Sequence, residues 1–167
     1  MWLTGAILAL VTAERLGELW LARRNTHRLV ASGAFEAAPG HYKLVVGLHV
    51  LWLGGLWLLA WGQPINWPFL AVFLLLQLLR AWVLLTLGCR WTTRIIVVPG
   101  EQLVRRGPYR LVRHPNYLVV IGEIATLPLV FGLVAYAILF SILNAAVLGV
   151  RIRAENAALA DARTRTV

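Results

Sequence analysis

Apolar side chains gather into long runs along this chain, and polar ones collect between the runs rather than alternating with them at strand or helix period. Five runs stand out: residues 2–22, 44–62, 67–88, 115–132 and 133–150. The second is the cleanest, with His49 as its one strongly polar side chain. At 1.5 Å per residue it is about 28 Å long, close to the hydrocarbon thickness of a bilayer. The pattern predicts an all-α integral membrane protein of about five transmembrane helices forming a single membrane domain. Residues 1–88 supply three N-terminal spans. Residues 89–167 supply a connector, a helical hairpin and a tail. The first run lacks a basic start and continues past Ala13, so it is expected to remain as a span and not to be cleaved as a signal peptide.

Charge orients these runs. Of 16 Lys and Arg, four lie in residues 23–43, six in 89–114 and four in the tail from Arg151. The turns at 63–66 and near Gly132 carry none. Cytoplasmic loops collect Lys and Arg, which places the N-terminus outside and both long loops and the C-terminus in the cytoplasm. Composition agrees: 60% hydrophobic, 14% charged and a mean hydropathy of +0.74. The net charge of +9 would suggest nucleic acid in a soluble domain; here topology accounts for it, and no nucleic-acid partner is expected. The single cysteine, Cys89, excludes an internal disulfide and a cysteine-based metal cluster, and no metal site is expected.

Three polar constellations interrupt the grease. The first is Arg113-His114-Pro115-Asn116-Tyr117. Pro115 suits the first position of a helix, where its fixed φ fits and its missing N–H is not needed. A helix start flanked by Arg113 and His114 attracts an anion, and Tyr117 one turn in offers a ring to a cation. An ordinary interfacial helix start reads the same way. The second is Arg151-Ile152-Arg153-Ala154-Glu155-Asn156, which topology brings to the same membrane face; Arg151 and Glu155, one turn apart, also suit a simple pair. The third is a set of polar groups buried by position: His49, Arg80, Glu123 and Asn144. Glu123 reads as functional and Asn144 as interhelical packing. His49 reads equally as a general base or a packing histidine. Glu14, Arg15 and Glu18 either reach the interface or form a polar patch toward a site.

Residues 106–117, Arg-Gly-Pro-Tyr-Arg-Leu-Val-Arg-His-Pro-Asn-Tyr, resemble the signature of the isoprenylcysteine carboxyl methyltransferase family, and 151–156 resemble its second motif, an Arg followed by an acidic pair. The resemblance runs from about Arg90 to the C-terminus. It implies a membrane enzyme using S-adenosylmethionine near the cytoplasmic face, with a lipophilic acceptor reaching it from the bilayer. Carried over, His114 and Tyr117 contact the cofactor with Tyr109, Asn116 and Asn156 near them, and Arg113 and Pro115 shape the turn. Arg151 and Glu155 stand at the cofactor–acceptor end. Two positions depart from the family: Val119 stands where Gly is usual, and Asn156 replaces the second acid. The Glu-Asn variant is similar to a bacterial branch whose acceptors are long-chain alkylpyrones or alkylresorcinols, and the bacterial inner membrane is the expected location. A carboxylate acceptor is already ionised at neutral pH, whereas a phenol must lose a proton and needs a base, for which His49, His41 and Glu123 are candidates. Other readings are a phospholipid N-methyltransferase, a sterol-type reductase using a nicotinamide cofactor, and a small transporter or assembly subunit.

Overall fold

A computed structural model describes residues 1–99 and 104–164, and of residues 41, 156 and 159–164 the backbone alone. The described residues form five α-helices: α1 (Trp2–Ala31), α2 (Tyr42–Leu59), α3 (Trp67–Leu87), α4 (Pro115–Val130) and α5 (Val134–Thr164). A two-stranded antiparallel ribbon joins β1 (Phe35–Glu36) to β2 (Ile96–Val97), with Phe35 opposite Val97 and Glu36 opposite Ile96. Short 3₁₀ turns cover Pro39–His41, Gly88–Arg90 and Gly107–Arg110.

Helix α4 is the hub and packs most extensively against α3 and α5. The core gathers Leu8 and Val11 of α1, Trp52 and Leu56 of α2, Phe73 of α3, and Ile124 and Leu127 of α4. Gly122 lets α3 and α4 approach, because a Cβ there would press on the Leu76 side chain at 2.8 Å. Outward positions remain apolar: Leu58 and Leu85 are each 82% exposed. Such a surface suits lipid and not water.

Among the described residues, three helical stretches are long and apolar enough to cross a membrane: Tyr42–Leu59, Trp67–Arg90 and Val134–Glu155. The remaining two helices differ from the five-span expectation in physically clear ways. Helix α4 has 16 residues, about 24 Å, short of a full crossing. Helix α1 has 30 residues and is long enough, but carries charges through its middle.

Two boundaries also move. Residues 23–31 were expected in a loop, yet α1 continues through them to Ser32 and Gly33, the latter at φ +96°. Arginine is a good helix former, so a basic tract does not end a helix by itself. The buried Asn25 then fixes this extension, donating to the carbonyls of Gly88 (3.1 Å) and Trp91 (2.8 Å). The fifth run was expected to stop at residue 150; α5 instead carries on through the Ala-rich tail to Thr164.

Candidate functional site

The first constellation begins where its proline places it. His114 is the N-cap and Pro115 the first residue of α4. The preceding turn is set by Gly107, whose φ of +56° favours glycine and whose missing Cβ leaves room for Thr86. Arg106 reaches the Thr86 carbonyl at 3.3 Å, tying this turn to the end of α3.

The hydroxyl of Tyr117 is the meeting point of the two motifs. It donates to Glu155 Oε2 in a short hydrogen bond and accepts from Arg151 Nε at 3.0 Å. Arg151 is buried; its Nη1 donates to the Thr93 carbonyl at 2.8 Å, and its guanidinium lies 5.6 Å from the Tyr117 ring centre. Arg151 and Glu155 thus converge on Tyr117 from one face of α5. His114 stacks on Tyr117 with ring centres 5.2 Å apart and planes 12° from parallel. The guanidinium beside the Tyr117 ring is the chain's own Arg151. Asn116 presents a buried Oδ1 with no hydrogen-bond partner. Tyr109 lies close enough to feel the Glu155 charge; burial first, and that charge second, push its phenol up to about 12. Arg113 is exposed at the turn. The side chains of Asn156 and His41 lie outside the described residues.

The connector closes over this end of the bundle. The ribbon holds it to the first loop, and Arg94 pairs with Glu36 at 2.6 Å while lying 4.6 Å from the Tyr42 ring centre. Thr93 donates to the Tyr42 hydroxyl at 3.3 Å. The run Ile95-Ile96-Val97-Val98 is a visible sequence signal for a strand, but its two-residue partner Phe35–Glu36 carries none.

Arg80 and Glu123 of the buried polar set join charges of α1 in a second assembly near the middle of the helices, while Asn144 is buried in α5. Arg80 of α3 grips both oxygens of Glu123, Nε to Oε1 at 2.7 Å and Nη2 to Oε2 more closely still. Its Nη1 lies 3.0 Å from both oxygens of Glu18. Arg15 joins Glu18 at 2.9 Å and Glu123 at 3.1 Å, and Gln77 donates to Glu14 in a short bond. Glu18 and Arg15 thus face the protein interior. His49 donates from Nδ1 to the Val45 carbonyl at 2.8 Å and stands edge-on to Trp52. The structure does not bring Glu123 or His49 to Tyr117: six residues separate Glu123 from Tyr117 along α4, about 9 Å of rise. Arg15 and Gln77 were not singled out as partners of Glu123 and Glu14; the i, i+4 spacing of Glu14 and Glu18 was the available signal.

Fold and site together define a helical membrane protein with a polar cluster at one end, built from two separated motifs. The isoprenylcysteine carboxyl methyltransferase (ICMT) family matches residues 69–161, a stretch that contains both motifs. The chain is 41% identical over 160 residues to "Uncharacterized protein YpbQ" of Bacillus subtilis (strain 168), covering 93% of this chain and 95% of that one. It is 27% identical over 158 residues to an "Uncharacterized protein" of Haemophilus influenzae (strain ATCC 51907 / DSM 11121 / KW20 / Rd), covering 90% and 91%. No solved structure matches the chain. The chain belongs to the isoprenylcysteine carboxyl methyltransferase family and is an S-adenosylmethionine-dependent methyltransferase.

Proposed function

We propose that this enzyme methylates an oxygen of a lipophilic acceptor, and that a hydroxyl of a long-chain polyketide fits the site better than a prenylcysteine-like carboxylate. The observation that carries the reading is the junction of Tyr117, Arg151 and Glu155. A carboxylate acceptor calls for an arginine to position it. Arg151 has Nε committed to Tyr117 and Nη1 to the Thr93 carbonyl. A hydroxyl acceptor calls for a proton-accepting group, and Glu155 is the carboxylate at the junction.

The residues present fit S-adenosylmethionine. The unpartnered Asn116 Oδ1 suits its ammonium group. The helix start with Arg113 and His114 suits its carboxylate, and the His114–Tyr117 stack offers an aromatic surface. When bound, it supplies an electrophilic methyl group on a sulfonium. The protein's own contributions follow from the contacts. Tyr117 holds Glu155 Oε2 in place, leaving Oε1 to take the acceptor's hydroxyl proton. Arg151, anchored on the connector through the Thr93 carbonyl, fixes the tyrosine hydroxyl. The apolar helix faces deliver a lipophilic acceptor from the bilayer.

We place the N-terminus outside and this site at the cytoplasmic face of a bacterial inner membrane, within a single membrane domain. The basic segments 23–31, 88–94 and 151–153 meet through Asn25, Thr93 and Arg151, which supports a common face. The test is incubation of the purified protein with lipid extract and methyl-labelled S-adenosylmethionine, followed by alkaline hydrolysis. Label that stays on the lipid as an aryl or enol ether supports the hydroxyl acceptor. Label released as methanol identifies an ester and overturns it.

A further inference from the structure

A groove of about 390 Å³ opens between the C-terminal extension of α1 and the end of α3. Its walls include Leu21, Arg24 and Arg28 on one side and Leu84, Leu85 and Cys89 on the other. Arg24 and Arg28 are exposed, lie one helical turn apart and point the same way. Among the described residues neither has a carboxylate partner. The Arg24 guanidinium rests 5.6 Å from the Trp20 ring centre, which steadies it at the groove mouth. Asn25 lines the groove, and its amide donates to the Gly88 and Trp91 carbonyls, tying α1 to the end of α3.

The groove straddles a chemical boundary. Leu84 and Leu85 belong to the last turn of an apolar span, and Leu85 is almost wholly exposed. Arg24 and Arg28 lie on the polar extension of α1, and exposed Trp20 stands one turn below them, as tryptophan does at a membrane interface. We propose that this groove binds an anionic phospholipid of the surrounding bilayer, its headgroup phosphate on Arg24 and Arg28 and an acyl chain along Leu21, Leu84 and Leu85. Guanidinium forks match phosphate oxygens in geometry and charge. A soluble phosphate would leave the apolar wall uncovered, and a neutral lipid would leave the two cations unmatched. The groove shares no residue with the Tyr117–Glu155 junction, so this site stands independently of the acceptor.

The experiment is native mass spectrometry of the full chain in detergent, offered equal amounts of phosphatidylglycerol and phosphatidylcholine. The wild-type chain is expected to retain phosphatidylglycerol preferentially. A juxtamembrane arginine contributes about a fivefold preference, so R24Q/R28Q is expected to lose roughly 25-fold. R23Q/K43Q removes the same charge from exposed positions outside the groove and is expected to keep the preference within a few-fold. Both variants change exposed side chains, and unaltered thermal unfolding confirms that they fold. Equal retention of the two lipids by the wild type overturns the proposal, as does an unchanged preference in R24Q/R28Q. An equal loss in R23Q/K43Q would show diffuse surface charge and not a site. Displacement of the lipid by inorganic phosphate, whatever its acyl chains, would assign the groove to a soluble anion.

Discussion

Tyr117→Phe is the sharpest probe of the junction. It removes one oxygen and leaves the ring, so the His114 stack survives. The oxygen serves two charged partners at once, donating to Glu155 and accepting from Arg151 Nε at 3.0 Å. Losing it leaves a carboxylate and a guanidinium N–H facing each other across a gap, in a half-buried setting. A hydrogen bond to a charged group is worth about 1.5 to 3 kcal/mol, and leaving a buried partner unmatched adds to that. Because the two partners can relax toward each other, about 2 to 3 kcal/mol of site organisation is lost. If it is lost from the transition state, the rate falls roughly 30- to 160-fold. The assay is methyl transfer to lipid extract at saturating S-adenosylmethionine, paired with calorimetric binding of that cofactor. The expected outcome is a large fall in kcat with cofactor affinity within a few-fold of wild type. A variant with unchanged kcat would show that the hydroxyl does not organise Glu155. A variant that loses cofactor binding and kcat together would show that the hydroxyl belongs to the cofactor's pocket instead.

Other outcomes follow from separate parts of the structure. Arg80→Met strands Glu123 and Glu18 in the helix core with Arg15 as their remaining cation, and should cost about 3 to 5 kcal/mol of stability, read by thermal unfolding in detergent. Gly107→Ala forces a Cβ against Thr86 at a positive φ and should cost about 1 to 2 kcal/mol; adding Thr86→Ala should recover the steric part only. Tyr109 keeps its proton up to about pH 12 when folded and to its ordinary pH 10 when unfolded. The native state then binds more protons between those values, so stability must fall as pH rises through that window, and Tyr109→Phe should flatten the fall in alkaline unfolding curves.

What the sequence makes legible here follows from what is local. The start of α4 is written in His114-Pro115, because a proline's fixed φ and absent N–H allow few other placements. The run 44–62 is legible because a membrane span needs only length and apolarity. The end of α1 is not, because Arg23, Arg24 and Arg28 look like a loop while being good helix formers, and the group that settles the matter, Asn25, finds its carbonyls 63 and 66 residues away. The candidate site divides in the same way. The two motifs are each visible in sequence, and topology brings them to one membrane face. That Tyr117 is the shared partner of Arg151 and Glu155 depends on how α4 and α5 are rotated, which no spacing within either helix encodes. Glu123 shows the same division. An ionisable group inside a span stands out in the sequence, but that both its oxygens meet arginines from α1 and α3 is visible only in the packed helices.

That arrangement gives the mid-helix charges a definite part in the site without bringing them near it. Apolar helix faces alone specify register weakly in a membrane, since a slide exchanges one lipid-like contact for another. A bidentate Arg80–Glu123 pair does not slide: moving α4 by one residue, about 1.5 Å, breaks two charge-assisted hydrogen bonds in a medium that cannot replace them. The close approach at Gly122 and Leu76 is the steric partner of that lock, one residue away. Tyr117 lies on the same rigid helix, so the height of its hydroxyl opposite Arg151 and Glu155 is set from Glu123. Arg15 and Glu18 extend the lock to α1, which lies outside residues 69–161. The N-terminal helix is therefore coupled to the helix that carries Tyr117 through a charge network in its middle. This also explains why a 16-residue helix, too short to anchor itself in the bilayer, can carry the central tyrosine of the site.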